Sequence, residues 1–226
     1  MKRTERTLPG VEHEFLDPGL LSEALTHRSL SSQNNERLEF LGDAVLNFVI
    51  ASELFDLRPD DNEGSLSRLR SRVVRGESLA RVARRIKLGD HLQMGEGELK
   101  SGGYLRDSVL ADALEAVLGA VYLDAGYEAA AAVIRHLFGE VVASLPDAET
   151  LKDAKTRLQE WLQARSRPLP VYTLVREEGA EHAKRFTVAC RLEDTGFEAE
   201  AMGTSRRKAE QEAAAAVLAA QTEAAP

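Results

Sequence analysis

Glu39 and Asp43, four residues apart, and Asp112 and Glu115, three apart, are the side chains of this sequence most suited to chemistry. Residues three or four apart are neighbours on a helix surface, so each pair would present two carboxylates side by side. Glu36 adds a third acid to the first pair. At about 100° per residue, Glu36, Glu39 and Asp43 fall within roughly 60° of one another, with Leu38, Leu41, Val45 and Phe48 forming an apolar face opposite. No lysine is interleaved among the acids, and like charges held that close repel. A solvated acidic face tolerates this, whereas a divalent cation would exploit it. Packing the two helices together would make a cluster of four oxygen ligands. Hard oxygen donors suit Mg2+ or Mn2+ rather than zinc. Such an ion acidifies a bound water, orients a phosphodiester and stabilises the leaving oxyanion. No Cys/His ligand spacing, Gly-rich phosphate loop or Ser–His arrangement competes with this chemistry.

A second constellation is Gly203-Thr204-Ser205-Arg206-Arg207-Lys208-Ala209-Glu210. Ser205 can cap a helix whose first turn carries three basic side chains. They oppose the helix dipole unless an anion arrives, and the exposed N–H groups there favour the same anion. A loop holding His182, and the helix residues Thr156, Gln159 and Glu160, supply polar groups nearby in the chain. Minor-groove contacts beside a phosphate-gripping helix end are the pattern expected for double-stranded RNA.

The elements that must position these groups divide into two regimes. Up to about residue 145 the periodicity is helical, with no convincing strand alternation. A short helix follows Asp17-Pro18, and Thr26-His27-Arg28-Ser29 closes it. A lone histidine in such a place is more often a structural hydrogen-bonding group than a ligand. Asn34-Asn35 offers an N-cap for a helix to about Leu54. Another starts at Glu63-Gly64-Ser65 and crosses an arginine-rich stretch, either a solvated face or a phosphate contact. Gly89, Gly95, Gly97, Gly102 and Gly103 mark a loop. From about Leu105 an amphipathic helix buries Leu110, Leu114, Val117, Leu118 and Val121, and a further helix spans residues 124–143. Gly42 and Gly119 flank the acids, where either packing or function would explain a small residue. After a break at 144–149, a helix over 153–164, strands at 171–175, 186–192 and 197–202, and a final helix from 205 to about 220 give an α-β-β-β-α order.

The chain is therefore expected to be multidomain: an all-α domain over residues 1–146, a linker over 147–152 and a small α+β domain over 153–226. At 43% hydrophobic and 29% charged residues it has the composition of an ordinary globular protein. No run approaches the roughly 18 apolar residues of a membrane span, and the polar N-terminus leads into no signal-peptide core. Cys190 is the only cysteine, which excludes an intrachain disulfide and points to a reducing, cytoplasmic setting. The net charge of −8 argues at first against a polyanion partner. Residues 151–226, however, hold 12 Lys+Arg and 12 Asp+Glu, so the excess acidity belongs to the first half. A local basic patch binds phosphate whatever the total charge.

Asn35-Glu36-Arg37-Leu38-Glu39-Phe40-Leu41-Gly42-Asp43 closely resembles the signature of bacterial ribonuclease III. Gly97-Glu98-Leu99-Lys100-Ser101-Gly102-Gly103 and Asp112-Ala113-Leu114-Glu115-Ala116 resemble further blocks of that family in the expected order. The second half, including Lys155-Thr156-Arg157-Leu158-Gln159-Glu160, resembles a double-stranded-RNA-binding domain.

The resemblance implies a homodimeric, Mg2+-dependent endonuclease of double-stranded RNA. Glu39, Asp43, Asp112 and Glu115 would be its metal-site carboxylates, and hydrolysis would depend most on Asp43 and Glu115. Each subunit would cut one strand, leaving 5′-phosphate and 3′-hydroxyl ends with a short 3′ overhang. Glu36 and Glu63 match acidic positions of the family and are assigned supporting roles. Phe40, angled away from the main apolar face, is assigned to the dimer interface. The usual substrates would be ribosomal RNA precursors and structured messenger RNA. One departure is Glu210, where many such RNA-binding domains carry a lysine. The rival reading is a protein that shields or presents duplex RNA without cutting it.

Overall fold

A computed structural model describes residues 6–147, 152–179 and 183–223. The chain divides into two compact units, Met1–Ala148 and Glu149–Pro226.

The first unit is helical. Helix α1 (Pro18–Ala24) is capped by Asp17, whose carboxylate accepts from Gly19 N–H, and proline at its first position needs no donor. Helix α2 (Glu36–Leu57) follows, and Asn34 Oδ1 accepts from Glu36 N–H at 3.0 Å. The arginine-rich stretch is two helices rather than one, α3 (Glu63–Val74) and α4 (Gly76–Arg85). They part at Arg75, whose backbone is extended. The glycine-rich stretch contains a short helix α5 (Glu96–Lys100) and two 3-10 turns, Leu88–His91 and Gly103–Leu105. Helix α6 (Asp107–Ala143) then runs through the centre of the unit. It changes direction at Gly126, where φ is +80°. That positive φ is what separates the two helices expected from the sequence.

Between Val109 and Val121, helix α6 is buried except where Asp112 and Glu115 are partly exposed. Leu110, Leu114, Val117, Leu118 and Val121 are joined in the core by Ala111, Ala113, Ala116, Gly119 and Ala120. By length and composition α6 would suit a bilayer, but half of its most apolar stretch is buried inside this unit. Helices α1, α2 and α4 pack around it. Several of the arginines have internal partners: Arg84 pairs with Asp107, and Arg85 with Glu140 at 2.8 Å.

On α2 the buried residues are Leu38, Gly42, Val45, Leu46, Val49, Ile50 and Leu54. Phe48, expected in the core, is 62% exposed, with its ring 5.5 Å from that of Tyr127. At about 100° per residue the buried arc is centred some distance from the Leu38–Phe48 line and sweeps past Gly42 and Leu46. Glu39 and Asp43 therefore lie on the flank that meets α6, not opposite the core. Phe40, Phe48 and Phe55 form an exposed stripe instead.

The second unit is an α-β-β-β-α domain. Helix α7 (Ala154–Gln163) is capped by Asp153, which accepts from Thr156 N–H. Strands β1 (Val171–Glu178), β2 (Arg185–Arg191) and β3 (Glu198–Gly203) form an antiparallel sheet in that order, with Tyr172 opposite Cys190 and a bulge between Leu174 and Arg176. Helix α8 (Arg206–Glu223) returns across it. Leu158 and Leu162 of α7 meet Ala213, Ala214 and Val217 of α8 over Cys190 and Leu192.

Candidate metal centre and nucleic-acid interface

The metal-site candidates sit where α2 crosses α6. A β-carbon on Gly42 would lie 1.8 Å from the carbonyl oxygen of Glu115, and one on Gly119 would lie 2.3 Å from that of Leu38. Both are far inside van der Waals contact, so the two backbones meet only because neither position carries a side chain. The acids beside these glycines are thereby forced together. Glu39, Asp112 and Glu115 each offer a carboxylate oxygen, and the three atoms lie within 4.8 Å of one another. Oxygens around one octahedral Mg2+ are about 3 Å apart in cis and about 4.2 Å in trans, so modest side-chain movement closes this triad on an ion.

The electrostatics agree with the donor chemistry. Burial, followed by the charges of Asp43, Glu39 and Asp112, pushes the Glu115 carboxyl up to about 8. Burial also raises Glu39, reinforced by Asp112, Glu36 and Asp43 and opposed by Arg28. Asp112 is raised by burial against the pull of Arg28 and His27. Near neutral pH the triad without a cation retains a proton on Glu115. A divalent ion removes the reason for it, so the group the residues best fit is a hard dication.

Asp43 stands at the rim rather than in the triad. It is exposed, and its Oδ1 accepts from Asn47 Nδ2 at 2.8 Å. It is still close enough to be the strongest charge acting on Glu115. Glu36 is exposed and paired with Arg28 at 3.3 Å. Glu63 opens α3, where its carboxylate accepts from Ser67 Oγ at 2.8 Å, and it is not part of the triad.

In the second unit, Ser205 Oγ accepts from Lys208 N–H at 3.3 Å, which places Arg206, Arg207 and Lys208 in the first turn of α8, all exposed. Gln159 and Glu160 are exposed on α7 and Thr156 is partly so. Glu160 is held by Lys152 Nζ at 2.6 Å. His182 lies outside the described residues.

A family profile described as Ribonuclease-III-like matches residues 17–141, and one described as Double-stranded RNA binding motif matches residues 154–220. The chain belongs to the ribonuclease III family. It is 53% identical over 209 residues to Ribonuclease 3 of Xanthomonas axonopodis pv. citri (strain 306), covering 92% of each chain. It is 54% identical over 208 residues to Ribonuclease 3 of Dechloromonas aromatica (strain RCB), covering 92% of this chain and 94% of that one. Among solved structures, it resembles the nuclease domain of ribonuclease III from Campylobacter jejuni in a study of flexibility in its region involved in dimer formation. That likeness has a TM-score of 0.57 and 46% identity, over 57% of this chain and 92% of the other.

In this ribonuclease III, Glu39 and Asp112 of the triad line a cleft of about 490 Å3, and sequence reasoning missed part of its lining. His27, Arg28, Glu98, Arg106 and Ser108 face the same space as Glu39 and Asp112. Arg106 is held by Glu98 and by Ser101 Oγ, the latter at 3.1 Å. The turn bearing His27 and Arg28 is fixed by main-chain bonds from His27 N–H to Gln93 C=O (2.9 Å) and from Asn35 N–H to Thr26 C=O (3.0 Å). Helical spacing carries no signal linking residue 28 to residue 112. The one available hint is that Thr26-His27-Arg28-Ser29 directly precedes the signature stretch.

Proposed function

We propose that the Glu39–Asp112–Glu115 triad, with Asp43 at its rim, is the centre at which this ribonuclease III hydrolyses phosphodiester bonds of double-stranded RNA, and that its ion is Mg2+, replaceable by Mn2+. The observation that carries this reading is the convergence of three carboxylate oxygens within 4.8 Å at a glycine-lined helix crossing. When bound, the ion supplies Lewis acidity, which acidifies water and neutralises charge developing on the leaving oxygen. The chain's own part is positional. Glu39 of α2 and Asp112 and Glu115 of α6 would hold the ion where the two helices meet. Asn47 holds Oδ1 of Asp43, which leaves Oδ2 to orient the attacking water and accept its proton. Asp43 and Glu115 are the residues on which hydrolysis depends most. Glu36 and Glu63 support the site from its margins.

In this reading residues 1–146 cut and residues 153–226 hold the duplex, with 147–152 linking them. Arg206, Arg207 and Lys208 grip phosphates at the capped end of α8 behind Ser205, and Thr156, Gln159, Glu160 and His182 face the minor groove. Two copies act together, each cutting one strand to give 5′-phosphate and 3′-hydroxyl ends with a short 3′ overhang. The exposed stripe of Phe40 (82%), Phe48 and Phe55 (71%) supports the pairing, since rings so exposed on one helix favour burial against a partner. Ribosomal RNA precursors and structured messenger RNA in the cytoplasm are the proposed substrates. Digestion of a defined RNA duplex with Mg2+ and with EDTA tests the proposal. Fragments with Mg2+ alone are expected, and an intact duplex after long incubation with Mg2+ would leave a protein that only binds.

A further inference from the structure

Glu210 is the departure noted in the sequence, an acid in the second turn of the helix whose first turn carries three cations. It is not a solvated residue. Its side chain is 15% exposed; Oε2 accepts from Lys155 Nζ at 2.7 Å and Oε1 from Arg206 Nε at 3.1 Å. Lys155 belongs to the first turn of α7, and its ammonium also lies 4.2 Å from the centroid of the Tyr172 ring on β1. Next to Glu210, Gln211 accepts from Lys155 N–H at 3.1 Å, so the same turn of α8 holds the start of α7 by two bonds. The hydrogen bond from Lys155 holds the Glu210 carboxyl below its usual range, so it is ionised wherever RNA would bind.

Two effects of such an acid on RNA binding oppose each other. By charge alone it repels phosphate and weakens the basic turn. By geometry it fixes Arg206 and ties the start of α7 to the start of α8, the two elements that must reach a minor groove and a phosphate backbone at once. Side chains preset in the bound arrangement lose less entropy on binding. A largely covered carboxylate with one partner on each helix is a geometric device, and a freely hydrated repulsive charge would not be held this way.

We propose that Glu210 is a positioning residue for duplex RNA: it clamps Lys155 of α7 and Arg206 of α8 so that the two helix starts present one preset surface. The inference rests on the RNA-binding reading of the second unit. A lysine at this position would add a phosphate contact and lose the clamp.

The test uses the full chain. Duplex binding is measured in EDTA across a salt series, and cleavage kinetics with Mg2+. Glu210→Gln, nearly isosteric, and Glu210→Ala are each expected to weaken binding and raise KM by roughly five- to tenfold while leaving kcat unchanged. Emission of Trp161, which packs on the core of this unit, reports that the domain remains folded. In a double-mutant cycle, Lys155→Ala combined with Glu210→Ala should weaken binding little more than either alone. Binding by folded Glu210→Gln that equals or exceeds wild type would show that only charge matters and overturn the clamp, as would strict additivity in the cycle. Those results leave the RNA-binding reading standing. Failure of the wild-type chain to bind duplex RNA would remove both.

Discussion

The carbonyl oxygen of Glu115 occupies the space that a β-carbon on Gly42 would need, 1.8 Å from its ideal position. A methyl group added there meets backbone rather than a flexible side-chain end, so the helices must separate. Gly42→Ala is expected to cost about 1–3 kcal/mol, the usual range for overpacking, and to lower the melting temperature by several degrees. Cleavage should fall by more than the unfolded fraction explains, because the same separation pulls Glu39 away from Glu115. Thermal melting and initial rates on one preparation check this.

Glu115→Gln is expected to abolish cleavage with Mg2+ while leaving duplex affinity within about twofold, since the residues proposed to grip RNA are in the other unit. Full cleavage by this variant would remove the triad from the mechanism.

The raised Glu115 carboxyl also sets a pH dependence. Its ordinary value is 4.5 and its folded value about 8, so between the two the native chain binds the proton more tightly than the unfolded chain does. Stability in EDTA should therefore fall as pH rises from about 5 to about 8, and Glu115→Gln should flatten that slope. Saturating Mg2+ should raise the melting temperature more at the upper end than at the lower, because it binds the ionised form. Calorimetry with and without Mg2+ at both ends measures each slope.

Removing residues 153–226 should weaken duplex binding at physiological salt while leaving slow cutting at low salt. Unchanged affinity after truncation would move the RNA-holding surface into the helical unit. Gel-shift titration across salt concentrations decides between these outcomes.

Phe40→Asp is expected to convert the proposed dimer to a monomer and to lower strand cleavage without unfolding the chain, because the ring is 82% exposed in one copy. Sedimentation equilibrium reads the mass directly.

How much of this was legible in the sequence depended on whether the signal was local. The α-β-β-β-α order, the Ser205 cap and the break near residue 145 all follow from residues close in the chain, and strand limits shifted by one to a few residues. The meeting of α2 and α6 was legible only as a condition, since acids and glycines on two helices converge if those helices pack. Phe48 was misplaced because α2 is long enough for its buried arc to drift, so a face read at its start does not hold at its middle. The split of the arginine-rich stretch at Arg75 is marked in the sequence only by Gly76, and a single glycine inside an apolar-periodic stretch does not by itself announce a break. Asp43, expected in the same cluster, stands at its rim with Oδ1 accepting from the Asn47 amide one turn on. Arg28 and Arg106 were invisible as cleft residues because tertiary contacts, not spacing, bring them to Asp112.

Helix α6 is buried in the core along most of 109–121, and the same stretch carries the partly exposed Asp112 and Glu115. Amides so placed exchange with solvent only when the whole unit opens. If the triad takes an ion as proposed, its carboxylates would have to adjust over a main chain that is expected to stay protected. Deuterium uptake along 110–121 should be slow and the same with or without Mg2+, while the surrounding turns at 27–35 and 96–106 respond.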